Sequence, residues 1–225
     1  MKLCFATSNN VNTVWQEKLA LVGSPDVLAF GFNGLGLVSY KKELSGETEY
    51  FADVARLSKT LSSVVISGAD TDTYGVFRHS AVIADKGRLL GVTDSCYTIG
   101  DGEFSSGGGL RVYQTSRGRI GLIVCEDLYF FETAKTLALC DVDIIFCLFK
   151  QVENYMPRIM LRANAFSNGV AMALVANDYA CLTDIRGNIK AESRADLLKA
   201  QIRIEKDYHQ IGVRRRGFTM GYGGD

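Results

Sequence analysis

Net charge is the first thing this chain lacks: 25 lysines and arginines balance 25 aspartates and glutamates. With no excess of either sign, there is no electrostatic reason to expect nucleic acid or an anionic membrane as a main partner. The local cluster Arg214-Arg215-Arg216 reads as a solvated or salt-bridged edge rather than a binding patch. Long apolar runs are missing too. None approaches the 18 residues of a membrane-spanning helix, and no basic–apolar–small signal segment precedes the first apolar run, so a cytoplasmic location is expected. The six cysteines (Cys4, Cys96, Cys125, Cys140, Cys147 and Cys181) show neither a CxxC pair nor zinc-ligand spacing. Reduced thiols are therefore expected, with no metal and no cofactor. With two prolines, no internal repeat and no low-complexity linker, residues 1–225 read as one domain large enough to bury a substantial core.

What is present is a dense alternation of apolar runs and turn signals. Strands are expected at Lys2–Ala6, Asp26–Phe30, Ser63–Ser67, Asp143–Phe149, Val170–Ala176, Ala180–Asp184, Ile189–Glu192 and Leu198–Ile204. Hairpins are expected between His79 and Gly91, across an Asp-Lys-Gly turn, and between Leu110 and Val124. Helical spacing marks Asn12–Val22, Glu47–Leu61, Leu128–Leu139 and Tyr155–Ser167. Hairpins mixed with crossovers predict an α/β fold of two mixed sheets packed face to face, with helices outside. Gly107-Gly108-Gly109 precedes a strand, whereas a phosphate cradle opens a helix, so it reads as a plain loop.

The most informative stretch is Ile120-Gly-Leu-Ile-Val-Cys125-Glu126-Asp127-Leu128. It predicts a buried strand, a sharp turn and a helix, with Cys125 at the strand's C-terminal end and two carboxylates in the helix's first turn. Such corners hold ligands and nucleophiles, and a thiol near a helix N-terminus is helped to ionise. The alternative reading of Cys125 is a small buried core residue.

These features, in this order, resemble the nitrilase, or carbon–nitrogen hydrolase, superfamily. The Cys125 segment resembles that family's nucleophile motif, with Phe130-Phe131-Glu132 in place of its usual Phe-Pro-Glu. Asp26-Val-Leu-Ala-Phe-Gly31 resembles the strand leading to the catalytic glutamate, and His79 to Gly91 the hairpin before the catalytic lysine. Phe104 to Tyr113 resembles the approach to the nucleophile strand, and Asp141 to Ile145 and Leu161 to Asn168 the next strand and helix. The resemblance implies an α-β-β-α arrangement once dimerised, as a homodimer or higher homo-oligomer through the helices beginning at Leu128 and Tyr155. It implies metal-free hydrolysis of a small amide or acyl substrate. Cys125 would attack the carbonyl to form a thioester, with a glutamate as general base. A lysine ammonium and the backbone N–H of Glu126 would stabilise the oxyanion.

The catalytic set does not carry over whole. Phe32 stands where the general-base glutamate belongs, Gly31 where proline is usual, and Ser95 where the lysine belongs; no lysine occurs between Lys86 and Lys135. Asn164 replaces an arginine and Ser167 a glutamate. Losing both the base and an oxyanion donor would cost about 5–10 kcal/mol of transition-state stabilisation if the two effects added. An apolar Phe32 would also push the thiol pKa up. Four candidates could stand in. Lys150, after the run Ile144–Phe149, is placed at the same sheet end as Cys125 and is the substitute ammonium, or else a solvated strand-end lysine. His79 would make a Cys–His dyad, Glu126 points away from the thiol by adjacency, and Glu43 lies too far along a glycine-rich loop. Three functions stay open: a divergent hydrolase with an incomplete triad, an inactive nitrilase-like binding or scaffold protein, and a thiol redox or acyl-carrier protein.

Overall fold

The computed structural model describes residues 1–99 and 102–206; His209 and the Arg214-Arg215-Arg216 cluster lie outside them. Thirteen strands are present among the described residues: β1 (Lys2–Ala6), β2 (Val27–Phe30), β3 (Leu37–Ser39), β4 (Val64–Thr73), β5 (Val76–Asp85), β6 (Arg88–Asp94), β7 (Val112–Thr115), β8 (Gly118–Val124), β9 (Ile144–Leu148), β10 (Ala171–Val175), β11 (Ala180–Thr183), β12 (Ile189–Ser193) and β13 (Leu197–Gln201). The first helical run comprises α1 (Val11–Thr13), a π-helical turn (Val14–Lys18) and α2 (Leu19–Val22). It is followed by α3 (Tyr40–Ser45), α4 (Tyr50–Leu61), α5 (Phe131–Leu139) and α6 (Met156–Asn168). No helix among the described residues is long and apolar enough to cross a membrane.

The strands form two mixed sheets. One runs β13-β1-β2-β4-β5-β6, with β3 beside β4; the other runs β12-β11-β10-β9-β8-β7. In each, three central strands are parallel (β1-β2-β4 and β8-β9-β10) and the flanking pairs beyond them antiparallel, apart from β3, which is parallel to β4. Because strand side chains alternate in direction, each apolar run supplies two cores at once. Leu3, Phe5, Val27, Ala29, Val64 and Ile66 meet Ile120, Leu122, Ile144, Phe146, Ala171 and Ala173 between the sheets. The alternate residues Cys4, Leu28, Phe30 and Val65 pack outward against Val14, Val54 and Leu57 of the helices. Ile123, Ile145 and Cys147 do the same with Leu137 and Leu161. One chain thus supplies all four α-β-β-α layers, and the fold needs no dimer to complete them.

Two departures from the sequence-level expectation matter for the site. The strand expected to end at Ser67 runs on to Thr73. Its second half, Gly68–Thr73, is too polar to show an apolar rhythm, and it is held by β3 (Leu37↔Asp70) on one side and β5 on the other. The helix expected from Leu128 begins only at Phe131; a 3₁₀ turn, Cys125–Tyr129, stands between β8 and α5. Elsewhere the Asp85-Lys86-Gly87-Arg88 hairpin turn forms as expected, with both central residues at positive φ (Lys86 +52°, Gly87 +80°).

Candidate active site

Cys125 follows the last residue of β8 and has φ +50°. A left-handed conformation costs an L-residue about 1–2 kcal/mol, and such strain clusters at functional corners. The expected electrostatic help to the thiol is not there. Because α5 starts six residues later, its N-terminus does not sit at the sulfur, and Cys125 is 4% exposed. Burial pushes its pKa well up, the neighbouring Glu126 carboxylate adds to that, and the ammonium of Lys150 pulls the other way.

Lys150 does stand at this sheet end. Parallel pairing puts Val124 of β8 level with Leu148 of β9. Two residues on, Lys150 keeps the inward parity of Ile144, Phe146 and Leu148. Its Nζ lies 2.9 Å from Oδ2 of Asp70, across the gap between the sheets. Asp70 sits on β4 in the inward row that begins with Val64 and Ile66. Its other oxygen, Oδ1, is 2.7 Å from Nδ1 of His79 on β5. Two rings wall this group. Phe104 stacks on the His79 imidazole at 3.8 Å between ring centres, and Phe32 meets the same imidazole edge-on at 5.7 Å. Lys150 Nζ lies 4.6 Å from the centre of Phe104 and 5.9 Å from that of Phe32. Burial alone would push the Asp70 carboxyl up, but hydrogen bonds from His79 and Lys150 hold it below the usual carboxylate range.

A model of the family described as carbon-nitrogen hydrolase matches residues 10–203. The chain belongs to the carbon-nitrogen hydrolase family. The fold is similar to that of a mutant of the Nesterenkonia AN1 amidase from the nitrilase superfamily, at TM-score 0.77 and 15% identity over 99% of this chain and 97% of that one. It is similar to a carbon-nitrogen hydrolase from Helicobacter pylori G27, at TM-score 0.73 and 18% identity over 99% and 95%. A further structure of the Nesterenkonia amidase, described as showing Michael addition of acrylamide at its active site cysteine, matches at TM-score 0.75 and 14% identity over 99% and 100%. No curated protein matches the chain.

Around Cys125, several residues of this carbon-nitrogen hydrolase family member are held by close packing and hydrogen bonds. Phe32 is buried in the inter-sheet core and its ring covers Gly68; a Cβ on Gly68 would lie 2.6 Å from Phe32 Cδ2. Gly31, in place of proline, lets the chain graze the opposite sheet, since a Cβ there would lie 2.6 Å from the backbone of Ala176. Asn177 accepts a hydrogen bond from the Asn33 N–H at 2.7 Å and fixes that loop. Ser95 is fully enclosed and donates to Tyr97 O (2.7 Å) and Asp127 Oδ1 (3.0 Å). Asp127 also accepts from the backbone N–H of Cys96 (2.8 Å) and Tyr97 (2.8 Å), so it ties the Ser95–Tyr97 loop to the 3₁₀ turn that begins at Cys125. Glu43 is settled elsewhere: its carboxylate accepts from the N–H groups of Tyr50 and Phe51 and so caps α4. Asn164, in place of the arginine, donates to the Leu128 carbonyl at 3.0 Å and steadies the turn after Cys125.

Sequence reasoning placed Cys125, Phe32, Ser95 and Lys150, and raised His79 as a neighbour. It missed Asp70 and the wall formed by Phe104. The signal for Asp70 was weak: the Asp-Thr-Asp-Thr-Tyr-Gly run reads as a polar turn until β3 and β5 are seen to enclose it.

Proposed function

We propose that this protein hydrolyses the carbon–nitrogen bond of a small amide, or transfers its acyl group, through a thioester on Cys125. The carrying observation is the strained left-handed cysteine at the end of β8, beside an ammonium that faces the same inter-sheet gap. The sulfur attacks the carbonyl carbon. Lys150 and the backbone N–H of Glu126 receive the oxyanion, the amine departs, and water releases the acid. Phe32 and Ser95 mark the positions of the absent family base and lysine, so the triad in its usual arrangement is incomplete. That an amidase of similar fold is described as taking up acrylamide at its active site cysteine supports a nucleophilic role for Cys125. The test is ammonia release from a panel of small aliphatic amides, with Cys125→Ala as the control. Turnover that Cys125→Ala abolishes supports the reading; equal turnover by both proteins overturns it.

A second reading, a nitrilase-like protein kept for binding, is favoured by the apolar Phe32 and by the upward push on the thiol. Silence across the panel together with an alkylation-inert Cys125 would select it. In either reading the chain acts as a single domain in the cytoplasm. The exposed apolar side chains of α5 and α6, Phe131, Leu139, Ile159 and Phe166, support self-association into a homodimer. A monomeric mass by light scattering at high concentration would rule that out.

A further inference from the structure

Asp70 on β4, His79 on β5 and Lys150, two residues beyond β9, form a three-member polar set, and none of them is at a position the family pattern assigns to its base or lysine. The carboxylate uses both oxygens: Oδ2 holds the Lys150 ammonium at 2.9 Å and Oδ1 holds His79 Nδ1 at 2.7 Å. All three stand on the inward row, at the end of the gap where Cys125 leaves β8. Phe32 occupies the place of the missing glutamate but also helps wall this ion pair, with Phe104 on the other side. Flanking aromatic faces lower the local polarity and strengthen a charge pair that water would otherwise screen.

We propose that the base and the ammonium of this hydrolase have moved rather than vanished: Asp70 is the general base, Lys150 the oxyanion cation, and His79 a positioning residue that aims Asp70. The inference rests on the reading of Cys125 as nucleophile. The thiol proton passes to the Asp70 carboxylate as sulfur bonds to the carbonyl carbon, and the carbonyl π pair becomes an oxyanion facing Lys150. The tetrahedral intermediate collapses, the C–N bond breaks, and the proton on Asp70 goes to the leaving nitrogen. Water then attacks the thioester, giving one proton to Asp70. The C–S bond breaks and that proton returns to sulfur, so amide and water become acid and amine with the enzyme unchanged. The charges that reach the thiol are those of Glu126 and Asp127 in its own turn, Lys150 two residues beyond β9 and Asp70 on β4. Those facing Asp70 are Lys150 and His79.

The experiment follows carbamidomethylation of Cys125 by iodoacetamide, read by peptide mass spectrometry, in a Cys140→Ser background that removes the exposed thiol. A carboxylate base is ionised throughout pH 6–8, so the rate should change by less than about threefold across that range; an unassisted thiol would gain about tenfold per pH unit. Asp70→Asn should lower the neutral rate about 10²-fold, the low end of general-base effects, and Asp70→Glu should stay within about tenfold of the parent. His79→Gln should restore a rising pH profile, which a purely structural role would not do. A tenfold-per-unit profile in the parent overturns the proposal even if Asp70→Asn fails to fold. Equal rates for parent and Asp70→Asn overturn it while leaving Cys125 a nucleophile. A parent that takes no label at Cys125 up to pH 9 and releases no ammonia overturns the underlying reading as well.

Discussion

Two carboxyl groups near Cys125, Asp70 and Asp127, are shifted in opposite directions, and that gives them opposite pH behaviour. Asp70 is held below the usual carboxylate range by His79 and Lys150, against its own burial. A depressed carboxyl stabilises the fold fully above its unfolded value of about 3.9, and loses that contribution as pH falls through the folded value. Asp127 is pushed up, chiefly by burial, despite donors from Cys96, Tyr97 and Ser95. It binds protons more readily folded than unfolded, so its contribution declines as pH rises past the unfolded value. Urea midpoints between pH 5 and pH 3 should therefore fall less steeply for Asp70→Asn than for the parent. An unchanged slope would show that Asp70 is not held as described. Asp127→Ala should cost about 1–3 kcal/mol for each buried donor that finds no new partner, and Asp127→Asn less, because one acceptor oxygen survives. Denaturant titration of the two variants gives the order.

Between elements, the contact that most shapes the site is that of the 3₁₀ turn after β2 (Phe32–Gly34) against β4, through Phe32 and Gly68. The ring fills the space where a side chain at 68 would be, so the two residues are a matched pair. Gly68→Ala should destabilise by about 1–3 kcal/mol through overpacking, and Phe32→Ala by about 3–5 kcal/mol through the cavity it leaves. In the double variant the added methyl meets no ring, and the penalty at 68 should largely disappear. A double-mutant cycle measures this, and additive costs would mean that the ring yields freely. The same scale explains why the site was only half legible. Cys125 was found because an apolar run ending in Cys-Glu-Asp is a local pattern. Asp70 was not, because its strand shows no rhythm of its own and is strand only by virtue of β3 and β5. The helix at Cys125 was expected too early, because Glu126 and Asp127 look like first-turn carboxylates. In the fold Asp127 instead turns inward to hold Ser95, Cys96 and Tyr97, and the chain spends a 3₁₀ turn before α5.

For the whole molecule, the layers bury four cysteines: Cys125 between the sheets, and Cys4, Cys147 and Cys181 between a sheet and the elements outside it. All four thiols are pushed up by burial, Cys4 to about 11 from 9.0. A raised thiol keeps its proton when folded, so stability is intact below the unfolded value near 9 and declines as pH rises above it. Chemical denaturation from pH 8.5 to 10.5 should show that decline, and Cys4→Ala should reduce its slope by about one proton. A slope indifferent to Cys4 would place its titration in the ordinary range.

The sequence by itself determined the family and those elements whose apolar rhythm is local. Apolar alternation, hairpin turns and the Cys125 segment are local, and local patterns survive in a chain that is 18% identical or less to the solved relatives described above. Side-chain chemistry alone also says that Phe32 accepts no proton and that Ser95 carries no positive charge. Only the tertiary structure decided which carboxylate and which ammonium stand beside the cysteine. Asp70 and Lys150 lie far apart in the chain and in different sheets. They meet because strand parity turns both inward and because the sheets pack face to face, and neither condition is written in the residues around them.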